Sequence, residues 1–287
     1  DTEHGGFGRA PKFPSTHHLE LVLRAYMSGR SEAAETVVRT TLDAMASGGM
    51  YDHIGGGFAR YSTDREWLVP HFEKMLPDQA LLARAYLHGY AVLGNDAWSQ
   101  VAAETIAYVL RELRHPEGGF FSAEDADSPG PDGTPREGWF HTWTPEEVAE
   151  AVGAQAAPAV CEWWDITAEG NFEGRSIPNR LHARGELRRP VAMEAARARL
   201  FAARARRPRP GLDDKVITEW NALFLSTLAE ATAIAGRRDW REAAIANGEF
   251  LLRELRDADG RWYRSWQADG SPRARHRALA GDHAALV

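Results

Sequence analysis

The stretch EWLVPHFEKMLPDQALL, residues 66–82, crowds His71, Glu73, Lys74 and Asp78 into the entrance of an apolar helical pattern. Histidine titrates near neutrality, so His71 can give or take a proton at ordinary pH, with Glu73 or Lys74 beside it to orient the ring. The segment just before it, YDHIGGGFARYSTDR, adds three consecutive glycines at 55–57 and the flat faces of Tyr51, Phe58 and Tyr61, which join that of Trp67. Glycine lets backbone approach a ligand closely, flat rings stack on sugars, and Arg60 can stabilise charge developing on an oxygen. The same residues also read as a solvated helix entrance, with His71 a cap and the glycines a mobile turn.

Two further clusters compete for attention. In FFSAEDADS the carboxylates Glu124, Asp125 and Asp127 stand close enough to repel, which raises the pKa of some members and can set a proton donor beside an acceptor. They could instead hold a divalent cation, or form an exposed acidic turn. In GLDDKVITEWNALF, Asp213 or Asp214 can cap the following helix, while Lys215, Trp220 and Asn221 add a cation, a stacking face and an amide. The arginine-rich run at 197–210 reads as a solvated helix end and loop.

The elements that must position these groups are helices. Apolar stripes at helical spacing include Leu19, Val22, Leu23 and Tyr26, then Val38, Leu42 and Met45, then Leu81, Leu82, Ala85 and Tyr86, then Val101, Ile106 and Val109. After a gap come Ile217, Trp220, Phe224 and Leu228, and Trp240, Ala244, Leu251 and Leu255. Short links join them in pairs, so three antiparallel hairpins are expected. Glycine–aromatic punctuation recurs at Gly5, Gly48, Gly118 and Gly260, with the last interval about twice the one before it. Repetition of hairpins predicts an all-α solenoid or closed toroid. Residues 120–206 read as an insertion over one rim, with short strands in GWFHTW and an extended run after Cys161. Thr144-Pro145-Glu146-Glu147 signals a helix start within it.

Composition narrows the classes. A net charge of −7 over 287 residues argues against a nucleic-acid or membrane-surface partner, both of which attract basic faces. The single cysteine, Cys161, allows no internal disulfide, which fits a reducing, cytoplasmic setting. Walker and HExxH motifs are absent, and neither a metal nor an organic cofactor is called for.

Taken together, GGFGRAPKFP, GGMYDHIGGGFARYSTDREWLVPHFEKMLPDQALL, GGFFSAEDADS, EGWFHTWT, GNFEGRSI and DDKVITEWNAL resemble, in order, a thioredoxin-domain-containing family that includes the spermatogenesis-associated thioredoxin-like protein of animals. The resemblance implies an (α/α)6 toroid similar to N-acylglucosamine 2-epimerase, here only part of the ring, and a thioredoxin-like partner domain in the longer protein. Ala59 departs from the histidine common at that place. An incomplete ring would be expected to self-associate. Three functions follow as expectations. The first is a sugar epimerase or isomerase using His71 as acid/base with Arg60 or Lys215 on the enolate. The others are a glycoside hydrolase pairing Asp125 or Asp127 with another carboxylate, and a non-catalytic scaffold.

Overall fold

A computed structural model describes residues 1–287. Helices α1 (Thr16–Gly29), α3 (Leu76–Leu93) and α8 (Thr218–Ala235) pack side by side, and each carries an antiparallel partner, α2 (Glu32–Ser47), α4 (Asp96–Glu112) and α9 (Arg238–Glu254). The result is two concentric layers, an arc of an (α/α) toroid, with α10 (Ala280–Ala285) packed on α8 at the next inner position. The apolar stripes read from the sequence meet between the layers. Leu42, Leu82, Tyr86, Trp98, Ile106, Phe224, Leu228 and Trp240 are buried in one continuous core. The hairpin links follow from local chemistry. Gly94 ends α3 in the left-handed conformation (φ 73°), and the Asn95 side chain then caps α4.

The middle two units repeat with fixed register. Helix α3 begins at residue 76 and α8 at 218, an offset of 142 residues that also relates both ends of α4 to those of α9. Strands obey the same offset. Strand β3 (Lys74–Met75), entering α3, pairs with β4 (Ala123–Glu124), leaving α4, so that Lys74 lies opposite Glu124. Strand β8 (Val216–Ile217) pairs likewise with β9 (Tyr263–Trp266), so that Val216 lies opposite Trp266. A third strand joins each set: β7 (Leu212–Asp213) in one, β10 (Ala274–Arg277) in the other.

The repeat explains Asn221. Gln79 clamps the backbone of Phe58, accepting from its N–H and donating to its carbonyl, both at 2.7 Å. Asn221, 142 residues on, clamps Phe120 in the same way at 2.8 and 3.0 Å, fully buried. Its amide ties an inner helix to the preceding unit and meets no solvent. Asn221→Ala should therefore cost about 2 kcal/mol by orphaning the Phe120 N–H, read as a lowered denaturant midpoint.

Residues between β4 and β7 form the insertion. It contains the hairpin β5 (Asp127–Pro129) and β6 (Pro135–Glu137), then α5 (Pro145–Val152), α6 (Ala157–Trp163) and α7 (Val191–Arg204). Thr144 and Glu147 make the expected capping box of α5. The expected strand in GWFHTW is instead a turn at 138–142 with one bridge from Trp143 to Ser176, and the run expected to be extended begins inside α6. Trp143, Val148, Val160, Trp164, Ile166 and Leu200 form the insertion's own core, joined from the arc by Ile54.

Charge supplies most of the rest of the docking. Arg189 pairs with Glu104 of α4, Arg204 with Asp52 at 2.9 Å, and Arg209 with Glu112 at 2.8 Å and Glu124 at 2.5 Å. The arginine run expected to be solvated thus turns inward at Arg204, and Arg209, though exposed, reaches back to the arc, because carboxylates there await both. The triple glycine serves this approach: a Cβ at Gly55 would lie 1.9 Å from the Arg204 guanidinium.

Candidate functional site

Strand alternation sorts the opening cluster onto two faces. From residue 70 to 76 burial alternates, so that Pro70, Phe72, Lys74 and Leu76 are buried while His71, Glu73 and Met75 stay partly open. His71 and Lys74 therefore cannot share a site, and Lys74 does not orient the imidazole.

The open face lies at the rim of the arc. Strand β1 (Tyr61–Ser62) pairs with β2 (Pro70–His71), setting Tyr61 against His71 with rings 5.2 Å apart and 28° from parallel. Phe13, half exposed, stacks in turn on Tyr61 at 4.9 Å. His71 Nδ1 lies 2.8 Å from the carboxylate of Glu137, which the insertion hairpin delivers. A carboxylate there fixes the neutral ring's proton on Nδ1 and leaves Nε2 as the basic nitrogen. Nε2 faces Glu73 at 3.9 Å, and Glu73 accepts from Arg60 at 3.0 Å.

Asp78 completes this group. It lies in the first turn of α3, on the stripe that faces away from α4 and hence toward the concave side. Burial pushes its carboxyl up to about 7, with Arg60 opposing and Glu73 adding to the shift. No side chain or backbone N–H hydrogen-bonds it, although the helix N-terminus favours an anion. The repeat offers an internal control, because the residue 142 positions on is Trp220. The scaffold does not require a carboxylate there. The sequence placed Asp78 beside the catalytic candidates, but nothing in it separated this residue from an ordinary first-turn aspartate. Glu137 is some 66 residues away and gave no sequence signal at all.

The buried face holds a second constellation. Lys74 donates to Asp52 at 2.8 Å and to the Gly56 carbonyl at 3.0 Å, and its ammonium lies over the Tyr108 ring. Tyr108 donates to Glu124 at 2.6 Å. Burial pushes the Asp52 carboxyl up, but Arg204, Lys74 and His141 outweigh it and hold the group well below the usual range. His141 falls to about 4, chiefly through burial, and stays neutral at pH 7. At the matching repeat positions stand Val216, Phe250 and Trp266, all buried in an apolar cluster. The insertion passes over one unit and not the other. Asp52 and Glu124 thus form sockets for its arginines, held from the arc by Lys74 and Tyr108, and the two cavities beside them, about 20 Å³ each, have room for a water molecule apiece.

The remaining sequence candidates are placed elsewhere. Tyr51 is buried with its hydroxyl on Glu104, and Trp67 is a buried core residue donating to the His4 carbonyl at 2.8 Å. Asp125 and Asp127 are exposed, linked by a 3.3 Å bond from the Asp127 N–H to the Asp125 carboxylate. Asp214 is exposed and accepts from Gln267, and the N-cap of α8 is Ile217, so neither adjacent aspartate caps that helix. Lys215 pairs with Asp213 at 2.5 Å. Trp220 packs partly on the main core and partly toward the concavity. Of the predicted residues, the structure brings together Arg60, Tyr61, His71 and Glu73 on the open face, and Lys74 and Glu124 on the buried one.

No protein-family model matches the chain. It is similar to spermatogenesis-associated protein 20 of Homo sapiens, 38% identical over 299 residues covering 92% of this chain and 38% of that protein. An uncharacterized protein of Caenorhabditis elegans is 32% identical over 325 residues, covering 100% of this chain and 44% of that protein. The chain thus spans less than half the length of these relatives. Among solved structures it is similar to a sugar epimerase from a ruminal bacterium, with TM-score 0.40 and 14% identity, covering 100% of this chain and 92% of that one. A family 76 glycoside hydrolase (mannosidase) from Bacteroides thetaiotaomicron gives TM-score 0.49 and 10% identity, covering 85% and 45%.

Proposed function

We propose that this homologue of spermatogenesis-associated protein 20 carries a carbohydrate-directed acid–base site at the rim of its toroid arc, of the epimerase or isomerase kind. The observation that supports the reading is that His71 and Asp78, two groups able to transfer protons, both neighbour the Arg60–Glu73 pair at the rim. His71 is set by Glu137 with Nε2 free of that bond, and Asp78 is poised near neutrality on the concave wall. An epimerase needs both. One group takes the proton from the carbon next to the sugar carbonyl, the electron pair moves to the carbonyl oxygen as an enolate, and the other group returns a proton to the opposite face. Arg60 is the cation near enough to Glu73 and Asp78 to stabilise the enolate oxygen. Phe13, stacked on Tyr61 and half exposed, offers a ring face at the entrance.

The test is incorporation of solvent deuterium at C2 across aldoses, ketoses and N-acylhexosamines, using the full-length protein. Exchange with at least one class is expected, and none with any would overturn the reading. Hydrolysis is the second reading, favoured by the contrast between Asp78 near 7 and the Arg60-paired carboxylate of Glu73. Release of reducing ends without exchange would select it. The scaffold reading draws support from the buried constellation, whose charges pair with one another around water-sized voids. In that case a thioredoxin-like domain of the longer protein would be the natural partner.

A further inference from the structure

The concave wall continues below the rim. On α3 its stripe runs Asp78, Leu81, Arg84, His88, and on α8 it runs Trp220, Leu223, Ser226, Glu230. Ten residues of helix separate Asp78 from His88, about 15 Å. At that depth three inner helices meet through charge. His88 Nδ1 lies 2.8 Å from Glu20 of α1, and Nε2 lies 2.9 Å from Glu230 of α8. Arg84 forks onto Glu230 at 2.6 and 2.9 Å. With both ring nitrogens facing carboxylates, the charged form of His88 is favoured. Its pKa is raised, first by the Glu20 hydrogen bond, against burial.

These groups are not sealed off. Each side chain keeps a quarter to a third of its surface exposed. Beside them a cavity of about 340 Å³ opens between α1 and α3, lined chiefly by Glu20, Leu23, Arg24, Met27, His88 and Val92.

We infer that this lower cluster binds a more distant sugar unit of the same ligand, so that the rim site acts on one end of an oligosaccharide. The inference rests on the rim being a sugar site. Its chemistry selects a neutral polyol. Glu20 and Glu230 oppose His88 and Arg84, with Arg24 adding one positive charge at the cavity, so the cluster holds no strong field for an anion or a cation. Two carboxylates keep lone pairs free, and Arg84 keeps unused N–H donors, so acceptors and donors stand side by side. A sugar hydroxyl is both donor and acceptor and satisfies such a pair. Leu23, Met27 and Val92 face the cavity with apolar surface suited to the C–H face of a pyranose.

The experiment is calorimetric titration with mono-, di- and trisaccharides of β-1,4-linked glucose, mannose and N-acetylglucosamine. In at least one series affinity is expected to rise tenfold or more from one unit to three. Arg84→Met should remove that gain. So should Met27→Trp, which fills the cavity from a position 56% exposed and leaves the core untouched. Affinity independent of length, or a gain that survives both substitutions, overturns the inference and leaves the cluster a lock between helices. Deuterium exchange on monosaccharides without a length gain defeats this inference alone. Absence of binding and exchange at every length defeats the rim reading together with it.

Discussion

Asp78→Asn and His71→Ala should each lower deuterium exchange into a sugar substrate by at least about 100-fold, the usual contribution of one positioned acid or base. The two are expected to differ in everything else. Asparagine matches the shape of a protonated aspartate but cannot transfer its proton, so the rate–pH ionisation near 7 that belongs to Asp78 should vanish in that variant. Stability should move the other way. The folded-state pKa of Asp78 is raised above its unfolded value of about 3.9, so its contribution is fully present below that value and is lost as pH rises through about 7. Asp78→Asn should therefore be more stable than the parent above pH 7, read as a higher midpoint of thermal unfolding. Such a cost, at a place where the scaffold accepts Trp220, is what the acid–base proposal predicts for Asp78. Should Asp78→Asn be inactive but no more stable, or stable but fully active, the assignment of Asp78 as the second proton-transfer group fails.

The helical half of the architecture was legible because its signals are local. Stripes such as Leu81, Leu82, Ala85 and Tyr86 have the period of a helix, and a glycine between two stripes marks the hairpin link. The site was legible only in part. His71, Glu73, Arg60 and Tyr61 stood close in sequence and remain together, because two short strands carry them. Lys74 separated from His71 because strand alternation sends neighbours to opposite faces, and a two-residue strand leaves no pattern long enough to recognise. Tyr51 and Trp67 look the same in sequence whether they stack on a ligand or on the core. Glu137 came from the insertion, whose docking depends on long-range ion pairs that no periodicity encodes. The repeat itself was visible only as uneven glycine spacing until the 142-residue register aligned both helices and strands.

The same register yields the largest expected stability change. Asp52 sits 7% exposed between Lys74 and Arg204, accepting also from the backbone N–H groups of Ile54 and Gly55 at 3.0 and 2.9 Å. Asp52→Ala leaves two buried cations facing each other and should cost about 3–5 kcal/mol, because the surviving charges lose their partner but not their desolvation. For a chain of this size that corresponds to roughly 10 °C in the unfolding midpoint. The parent's stability should also fall in acid. Asp52 has a depressed folded pKa, so its contribution is present above the unfolded value of about 3.9 and is lost as pH drops through the folded one. Since Arg204 anchors the insertion, the loss should be partly local: limited proteolysis of Asp52→Ala should cut first between residues 125 and 211, before the helical arc opens. Adding Lys74→Met and Arg204→Met to that background should recover part of the midpoint, because it removes the two unpaired buried cations, and the apolar counterpart around Val216, Phe250 and Trp266 shows that the strand pair itself can be built without charge. A single variant as stable as the parent, or first cleavage within α3 or α4, would mean that the insertion is not held by its arginines.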